Sequence, residues 1–465
     1  MTRERDMNRR GFLGRLGITA ASLPAAMVVG RIGGDEVLAA PEEYGGFLVR
    51  RSPEGEPPYQ VDENVYQRFD QRNETFSREI WDPKVIESEA PFDGVEEENI
   101  RINKEGYTRL DYAFMSAAWT IAGAFGSGAG AIGGSNGGLY SWQPLGGPGM
   151  NGMPPWDSSD WSPEEVALIV KKAALFFGAS LSGIAELDER WIYSHRFTKD
   201  FSDPPEIYAP ILIDDVEAPA ELEDGTLVIP KSMRNVVVMA FEMDFDAIAT
   251  YPGGPGAAAT GNGYSRMTFT AACLAEFIRG LGYQAIPCGN CTGLSIPMAI
   301  DAGLGELGRL GLLITPRYGP RVRLAKVFTD MPLVPDRPIS FGVTEFCEAC
   351  GRCAEDCPGE AISAGERTTD PIDISNSPGI NRWPVNHPRC HLVWSQTGLD
   401  CANCIRVCPF NKPEGWLHDA TRALIGANSE TFDLAMLKLD EASGYGEQQD
   451  SRRYWRKDHY VHIKD

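Results

Sequence analysis

Apolar residues fall at helical spacing at Val166, Ile169, Val170, Ala173 and Phe177, directly after the tetrad Ser162-Pro163-Glu164-Glu165. That tetrad is a helix start: Ser162 can cap the first turn, Pro163 suits its opening position, and Glu165 completes a capping box. The helix is predicted to run to about Phe177 with its apolar stripe in the core. Asn235 to Phe241 is apolar almost without a break, as in a buried strand, and Phe269 to Leu281 returns to helical spacing. Gly311 to Thr315 and Val322 to Phe328 predict two further strands. Strands alternating with helices predict an α/β core over residues 160–335.

Upstream the pattern weakens. Residues 41–102 are polar, acidic and proline-bearing, with scattered aromatics at Tyr59, Tyr66, Phe69 and Trp81, and are expected to wrap the surface. Phe114 to Trp119 is a short apolar helical piece, followed by a glycine-rich stretch from Gly123 to Gly152. That stretch lacks both a G-x-G-x-x-G after a strand and a P-loop lysine, which gives nucleotide binding little support. Two readings stay open: glycines that let backbone approach a large planar ligand, or a loop with no ligand.

The first residues form an address. Asn8-Arg9-Arg10-Gly11-Phe12-Leu13 matches the core of a twin-arginine export signal, an alanine-rich apolar run follows from Ile18 to Gly30, and Ala39 and Ala40 offer a cleavage point. The apolar run is shorter than the ~20 residues a spanning helix needs. Export is therefore expected in preference to a membrane span, with residues 1–40 as signal peptide.

Over 465 residues the formal charge is -22, which argues against a nucleic-acid partner because phosphate binding needs clustered Lys and Arg. The chain is long enough for more than one domain.

Eight of the 11 cysteines crowd into residues 347–408. Cys347, Cys350, Cys353 and Cys357, followed by Pro358, have the C-x2-C-x2-C-x3-C-P spacing of a bacterial ferredoxin [4Fe-4S] run. Cys401, Cys404 and Cys408, followed by Pro409, repeat the last part of that run, and upstream Cys390 stands in for the missing first ligand. In two-cluster ferredoxins the fourth cysteine of each run crosses to the other cluster. On that logic Cys347, Cys350, Cys353 and Cys408 hold one cluster, while Cys357, Cys390, Cys401 and Cys404 hold the second. Zinc is the bland alternative, but zinc ribbons pair two distant C-x2-C units and do not use a three-cysteine run. Twin-arginine export carries folded cargo, which reconciles reduced cysteines with an extracytoplasmic destination.

With this signal, an α/β core and the uneven pair of cluster motifs, the chain resembles the respiratory reductive dehalogenases. Gly303 to Pro332 and Phe341 to Pro358 are the stretches that carry the likeness most clearly. The resemblance implies an α/β (α+β) nitroreductase-like, corrinoid-binding core over 160–335, after an N-terminal wrapping region at 41–159. A bacterial-ferredoxin-like domain with two [4Fe-4S] clusters at 336–420 and a C-terminal segment at 421–465 follow. It also implies cobalamin or a related corrinoid bound base-off, in keeping with the absence of a D-x-H-x-x-G cobalt-ligand signature. Tyr264, in NGYSR, matches the family's proton donor; Asn290, in CGNC, its asparagine; and Arg323, in PRVRLAK, its cation, with Arg321 the weaker match. An unperturbed tyrosine, pKa about 10, is protonated at neutral pH, and a guanidinium beside it stabilises the phenolate left after donation. Thr260 and Trp394 match positions that line the substrate pocket.

The implied partners are a small-molecule organohalide, a small integral-membrane anchor protein and an upstream electron donor of the respiratory chain, with a homodimer as a further option. The implied location is the outer face of the cytoplasmic membrane. Two rivals remain: an epoxyqueuosine-reductase-like enzyme, which the export signal and acidity disfavour, and an exported iron-sulfur electron carrier without corrinoid. Cys288 and Cys291 flank Asn290 as a C-x-x-C, expected to be two reduced, packed thiols though a redox role stays open. Cys273 is expected in the core.

Overall fold

The structure is a computed structural model that describes residue 49, residues 56–125, 138–146, 154–198, 207–413, 437–438 and 444–456, and the backbone of strands at 31–32, 35–38 and 49–51. Residues 1–30, with the core of the export signal, its expected cleavage point at Ala39 and Ala40, and 126–137 and 147–152 of the glycine-rich stretch lie outside the described residues. The short strands Arg31–Ile32, Asp35–Leu38 and Val49–Arg51 join Ile339–Ser340 in a small sheet.

At the centre is a four-stranded sheet built from β1 (Leu181–Glu186), β2 (Asn235–Glu242), β3 (Ala285–Cys288) and β4 (Val322–Thr329). Its order is β3-β4-β2-β1, and every neighbouring pair is antiparallel. The alternation of strands and helices along the chain therefore produces an α+β arrangement, not a parallel doubly wound sheet. Side chains alternate strictly across it. Val236, Val238 and Ala240 enter the apolar cluster on one face, while Val237, Met239 and Phe241 enter the cluster on the other. A second sheet, from His195–Thr198, Ile207–Asp214, Leu227–Pro230 and Ala220–Glu221, flanks this core.

Helices α2 (Pro163–Phe176) and α3 (Gly254–Gly280) cover the Val237 face, and α1 (Arg109–Phe125) packs on α3. The capping box at Ser162 and Glu165 is formed in full. Helix α3 is 27 residues long, where the pattern predicts only Phe269 to Leu281. Its first half, GPGAAATGNGYS, is glycine-rich and looks like a loop because glycine is a poor helix former. Tertiary packing overrides that preference. A Cβ on Gly254 would lie 2.2 Å from Asp111 Cβ, and one on Gly261 2.4 Å from Trp119 Cδ1, so the two glycines, two turns apart on one face, let α1 lie directly on α3. Ser265 seals the crossing by donating to the Ala118 carbonyl at 2.6 Å.

Three other expectations change. The predicted strand Gly311 to Thr315 shrinks to Leu313–Ile314, paired with Glu306–Leu307. The segment expected to wrap the surface does more than that, because Tyr59, Phe69, Glu74 and Phe76 line one wall of a cavity. Cys273 is half-buried and not in the core.

The cysteine-rich region packs on the core through short helices α5 (Val343–Cys350), α6 (Arg352–Glu355), α7 (His387–Thr397) and α8 (Asn403–Val407), with α4 (Ser295–Asp301) at the base of the sheet. The Gly303–Pro332 stretch stitches them together. Glu306 Oε1 accepts from the Phe341 and Val343 amides, and Arg309 donates to the carbonyls of Cys347, Ser363 and Gly365 while lying over Trp383. No helix among the described residues is long and apolar enough to cross a membrane.

Candidate active site

Helical spacing on α3 puts Thr260, Tyr264, Met267 and Ala271 in line, and Tyr264 and Met267 meet the sheet in the apolar cluster of its Val237 face. Arg323 shares the parity of Ala325 and Val327, so the same alternation that fills this core points the guanidinium at the helix. Gly263 makes room for it: a Cβ there would sit 2.8 Å from Arg323 Cγ. Arg323 then lies with its Cζ 5.1 Å from the Tyr264 ring centroid and its Nη2 3.3 Å from Thr260 Oγ1. Asn290, on the loop after β3, donates from Nδ2 to Tyr264 Oη at 3.0 Å. Trp119 stacks on the Tyr264 ring at 4.7 Å and 21°.

Tyr264, Asn290, Arg323 and Thr260, distant in sequence, thus meet in one place. Arg321 does not join them; it is buried against Glu242, the Met243 carbonyl and the Lys412 carbonyl. Sequence reasoning missed Trp119 and Asp400. Both Asp400 carboxylate oxygens are buried, and burial pushes the group up to about 6 against the pull of Arg323 and Thr260. The only advance signal for Trp119 was the apolar piece Phe114 to Trp119.

Asn290 also borders a cavity of about 370 Å³ between the core and the cysteine-rich region. Its wall includes Tyr59, Glu74, Phe76, Leu294, Ser295, Gly311, Ser375 and His387. Tyr59 and Trp191 both donate to Asp301 of α4, which fixes that side. Burial pushes the His387 imidazole down to about 4, so the ring is neutral at pH 7. Trp394 packs on Phe76 at 5.5 Å and is not itself on the cavity wall.

The C-x-x-C around Asn290 is a packed pair, with Cys288 and Cys291 both buried. Lys326, opposite Cys288 in the β3-β4 register, sends its buried ammonium to the carbonyls of Gly289 and Cys291. The Cys288 hydrogen bond, then Lys326, lower Cys291 against burial, while burial raises Cys288. Among the described residues no cysteine is in a disulfide.

The eight remaining cysteines gather in two sets. Cys408 faces Cys347, Cys353 and Cys350, although it follows the other run in sequence. Cys390 faces Cys401 and Cys357, and Cys404 faces Cys401, Cys390 and Cys357 together with Cys353. Burial first, then the neighbouring sulfurs, push Cys353 and Cys390 up to about 12. Thiolates packed this closely need a positive centre among them, which iron supplies.

These features define an iron-sulfur protein with a buried tyrosine site on an α+β core. Residues 346–411 match the 4Fe-4S double cluster binding domain, a domain for two [4Fe-4S] clusters, and residues 90–333 match the reductive dehalogenase subunit family. The chain belongs to the reductive dehalogenase family. It is 42% identical over 320 residues to the tetrachloroethene reductive dehalogenase of Sulfurospirillum multivorans, covering 68% of this chain and 62% of that relative. It is 38% identical over 395 residues to that of Desulfitobacterium hafniense, covering 74% of this chain and 69% of the relative. A solved reductive dehalogenase described as B12-dependent superposes with a TM-score of 0.59 at 22% identity, over 86% of this chain and 49% of that one. The chain thus spans about half to two thirds of the length of these relatives.

Crowding at α1 and α3 gives a first expectation. Gly261→Ala should destabilise the protein by about 1–3 kcal/mol through overpacking and displace Trp119 from Tyr264. Denaturant unfolding beside Trp119 fluorescence checks it; an unchanged midpoint with unchanged emission would refute the close packing.

Proposed function

We propose that this protein is an oxidoreductase that replaces a halogen of an organohalide by hydrogen, with a corrinoid fed by two [4Fe-4S] clusters. The observation that carries the reading is the Tyr264 hydroxyl, held by Asn290 and flanked by Arg323, beside a cavity that lies against the double-cluster domain. The reaction balances as R–X + 2e⁻ + H⁺ → R–H + X⁻. A bound corrinoid supplies the strongly reducing cobalt at which the carbon–halogen bond is broken.

The lining of the cavity suits such a group. Leu294, Ser295, Ile296, Gly311, Ser375 and Ser377 offer apolar and small surfaces, and Thr75 Oγ1, on the wall, is buried without a hydrogen-bond partner that peripheral amides of a corrin would provide. The chain's own part is proton delivery. Tyr264 Oη gives its proton to the carbon that loses halide. The Asn290 amide, already donating to that oxygen, and the Arg323 cation on the ring stabilise the phenolate that remains. Trp119 keeps water from the ring. The substrate, an apolar organohalide, is positioned by contact area, and Thr260 acts through Arg323, from which it accepts a hydrogen bond.

Cys347, Cys350, Cys353 and Cys408 are assigned to one cluster and Cys357, Cys390, Cys401 and Cys404 to the other. The twin-arginine core at Arg9 and Arg10 supports export to the outer face of the cytoplasmic membrane. A membrane anchor protein and a respiratory electron donor complete the reading.

Production without oxygen in a corrinoid-supplied host tests it. About eight irons and one cobalt per chain, with halide released from a panel of organohalides by reduced viologen, are expected. The full iron content without cobalt or turnover would leave an electron carrier and overturn the assignment.

A further inference from the structure

Tyr193 touches Asn290 from the cavity side and Glu74 touches Tyr193, and nothing above gives either of them a task. Tyr193 is buried, and its Oη lies 2.7 Å from Glu74 Oε1 and 3.1 Å from the Asn290 carbonyl oxygen. A phenol has one proton, so it cannot donate to both acceptors. The carbonyls on either side, those of Gly289 and Cys291, are already held by Lys326. The Asn290 carbonyl depends on Tyr193.

Protonation of the carboxyl resolves the conflict. A protonated Glu74 donates to Tyr193 Oη, and the phenol proton is free for the Asn290 carbonyl. An ionised Glu74 attracts that proton by a stronger, charge-assisted bond, and Asn290 loses its backbone anchor. The same residue's side chain reaches Tyr264 Oη at 3.0 Å.

We propose that Glu74 is a positioning acid: in its protonated form it completes a Glu74–Tyr193–Asn290 chain that fixes the amide presented to Tyr264. The proposal rests on the dehalogenase reading and adds a regulation of the same site. Glu74 lines the cavity with protein around it, and burial pushes it up to about 7. Cys291 adds to that rise, while Tyr193, Lys326 and Gln71 oppose it. Tyr193, Cys291, Lys326 and Gln71 face the carboxyl from the neighbouring elements.

The test compares the full holoprotein with Glu74→Gln and Tyr193→Phe. Wild-type kcat should fall as pH rises through about 7, the value at which Glu74 ionises. Glu74→Gln, whose amide donates at every pH, should hold the acid-limb rate and lose this inflection. Tyr193→Phe should lose about tenfold in kcat without an inflection. Infrared difference spectra supply a readout independent of turnover: a protonated-carboxyl band in the wild type that titrates near pH 7 and is absent in Glu74→Gln. A wild-type inflection retained by Glu74→Gln, or no such band in the wild type at acid pH, overturns the proposal. If no organohalide is turned over while the band titrates, the dehalogenase reading fails and the hydrogen-bond chain stands. Should Glu74→Gln fail to fold, the wild-type band, compared with Tyr193→Phe, decides.

Discussion

Tyr264→Phe is expected to lower kcat for dehalogenation by about 10²- to 10⁴-fold, the usual contribution of a positioned general acid. The substitution removes one oxygen and little else. The ring keeps its stack on Trp119 and its place beside Arg323, so packing of α3 on the sheet should survive. What disappears is the proton and the oxygen to which Asn290 donates. Iron and cobalt contents should match the wild type, which separates lost proton delivery from lost cofactor. KM should change little, since the hydroxyl acts on charge that develops in the transition state. Asn290→Ala should fall between the two, because it removes one of two groups that stabilise the phenolate. Single-turnover halide release under anoxic conditions checks the series. A Tyr264→Phe enzyme within a few-fold of the wild type would remove Tyr264 from the mechanism.

The second large effect concerns the crossed cysteines. Cys408→Ala should reduce iron from about eight to about four per chain and stop viologen-driven turnover, because the relay to the cavity is broken. The informative comparison is between pairs. Cys347→Ala and Cys408→Ala, far apart in sequence but facing each other, should leave the same residual electron paramagnetic resonance signal. Cys357→Ala and Cys404→Ala, which face each other across the two runs, should leave the other one. If Cys408→Ala and Cys404→Ala erased the same signal, each run would hold its own cluster and the crossing would be wrong. Cys408 is buried in the cluster-side apolar core, so near-native circular dichroism should accompany any reading of a residual signal.

Much of this was open to inspection in the sequence wherever the determining interaction is local. The Ser162 to Glu165 capping box forms because its donors and acceptors lie within one turn. The β2 strand follows from its own apolar run. Ferredoxin spacing is likewise local geometry, with thiolates on one tight turn converging on one cluster, and the double-cluster match over residues 346–411 agrees with it. Family membership was carried by long, specific segments such as Gly303 to Pro332.

Other features depend on residues far apart, and there local pattern misleads. The first half of α3 is helical only because Gly254 and Gly261 admit α1, a partner that the glycines themselves do not name. Trp119 was one apolar residue among several until the crossing of α1 and α3 laid it on Tyr264. Nothing local in the sequence marks Glu74 or Tyr193, and only the folding of residues 56–101 around the core brings Glu74 to Tyr193 behind Asn290. Asp400 was hidden beside a cluster cysteine. By itself the sequence determined the cluster ligands' spacing, the buried strand, the helix start and the family, because each is written within a short stretch. The tertiary structure alone decided the antiparallel sheet, the faces to which Arg323 and Lys326 point, and the cavity wall, because sheet register and helix crossing are set by packing between segments that share no local pattern.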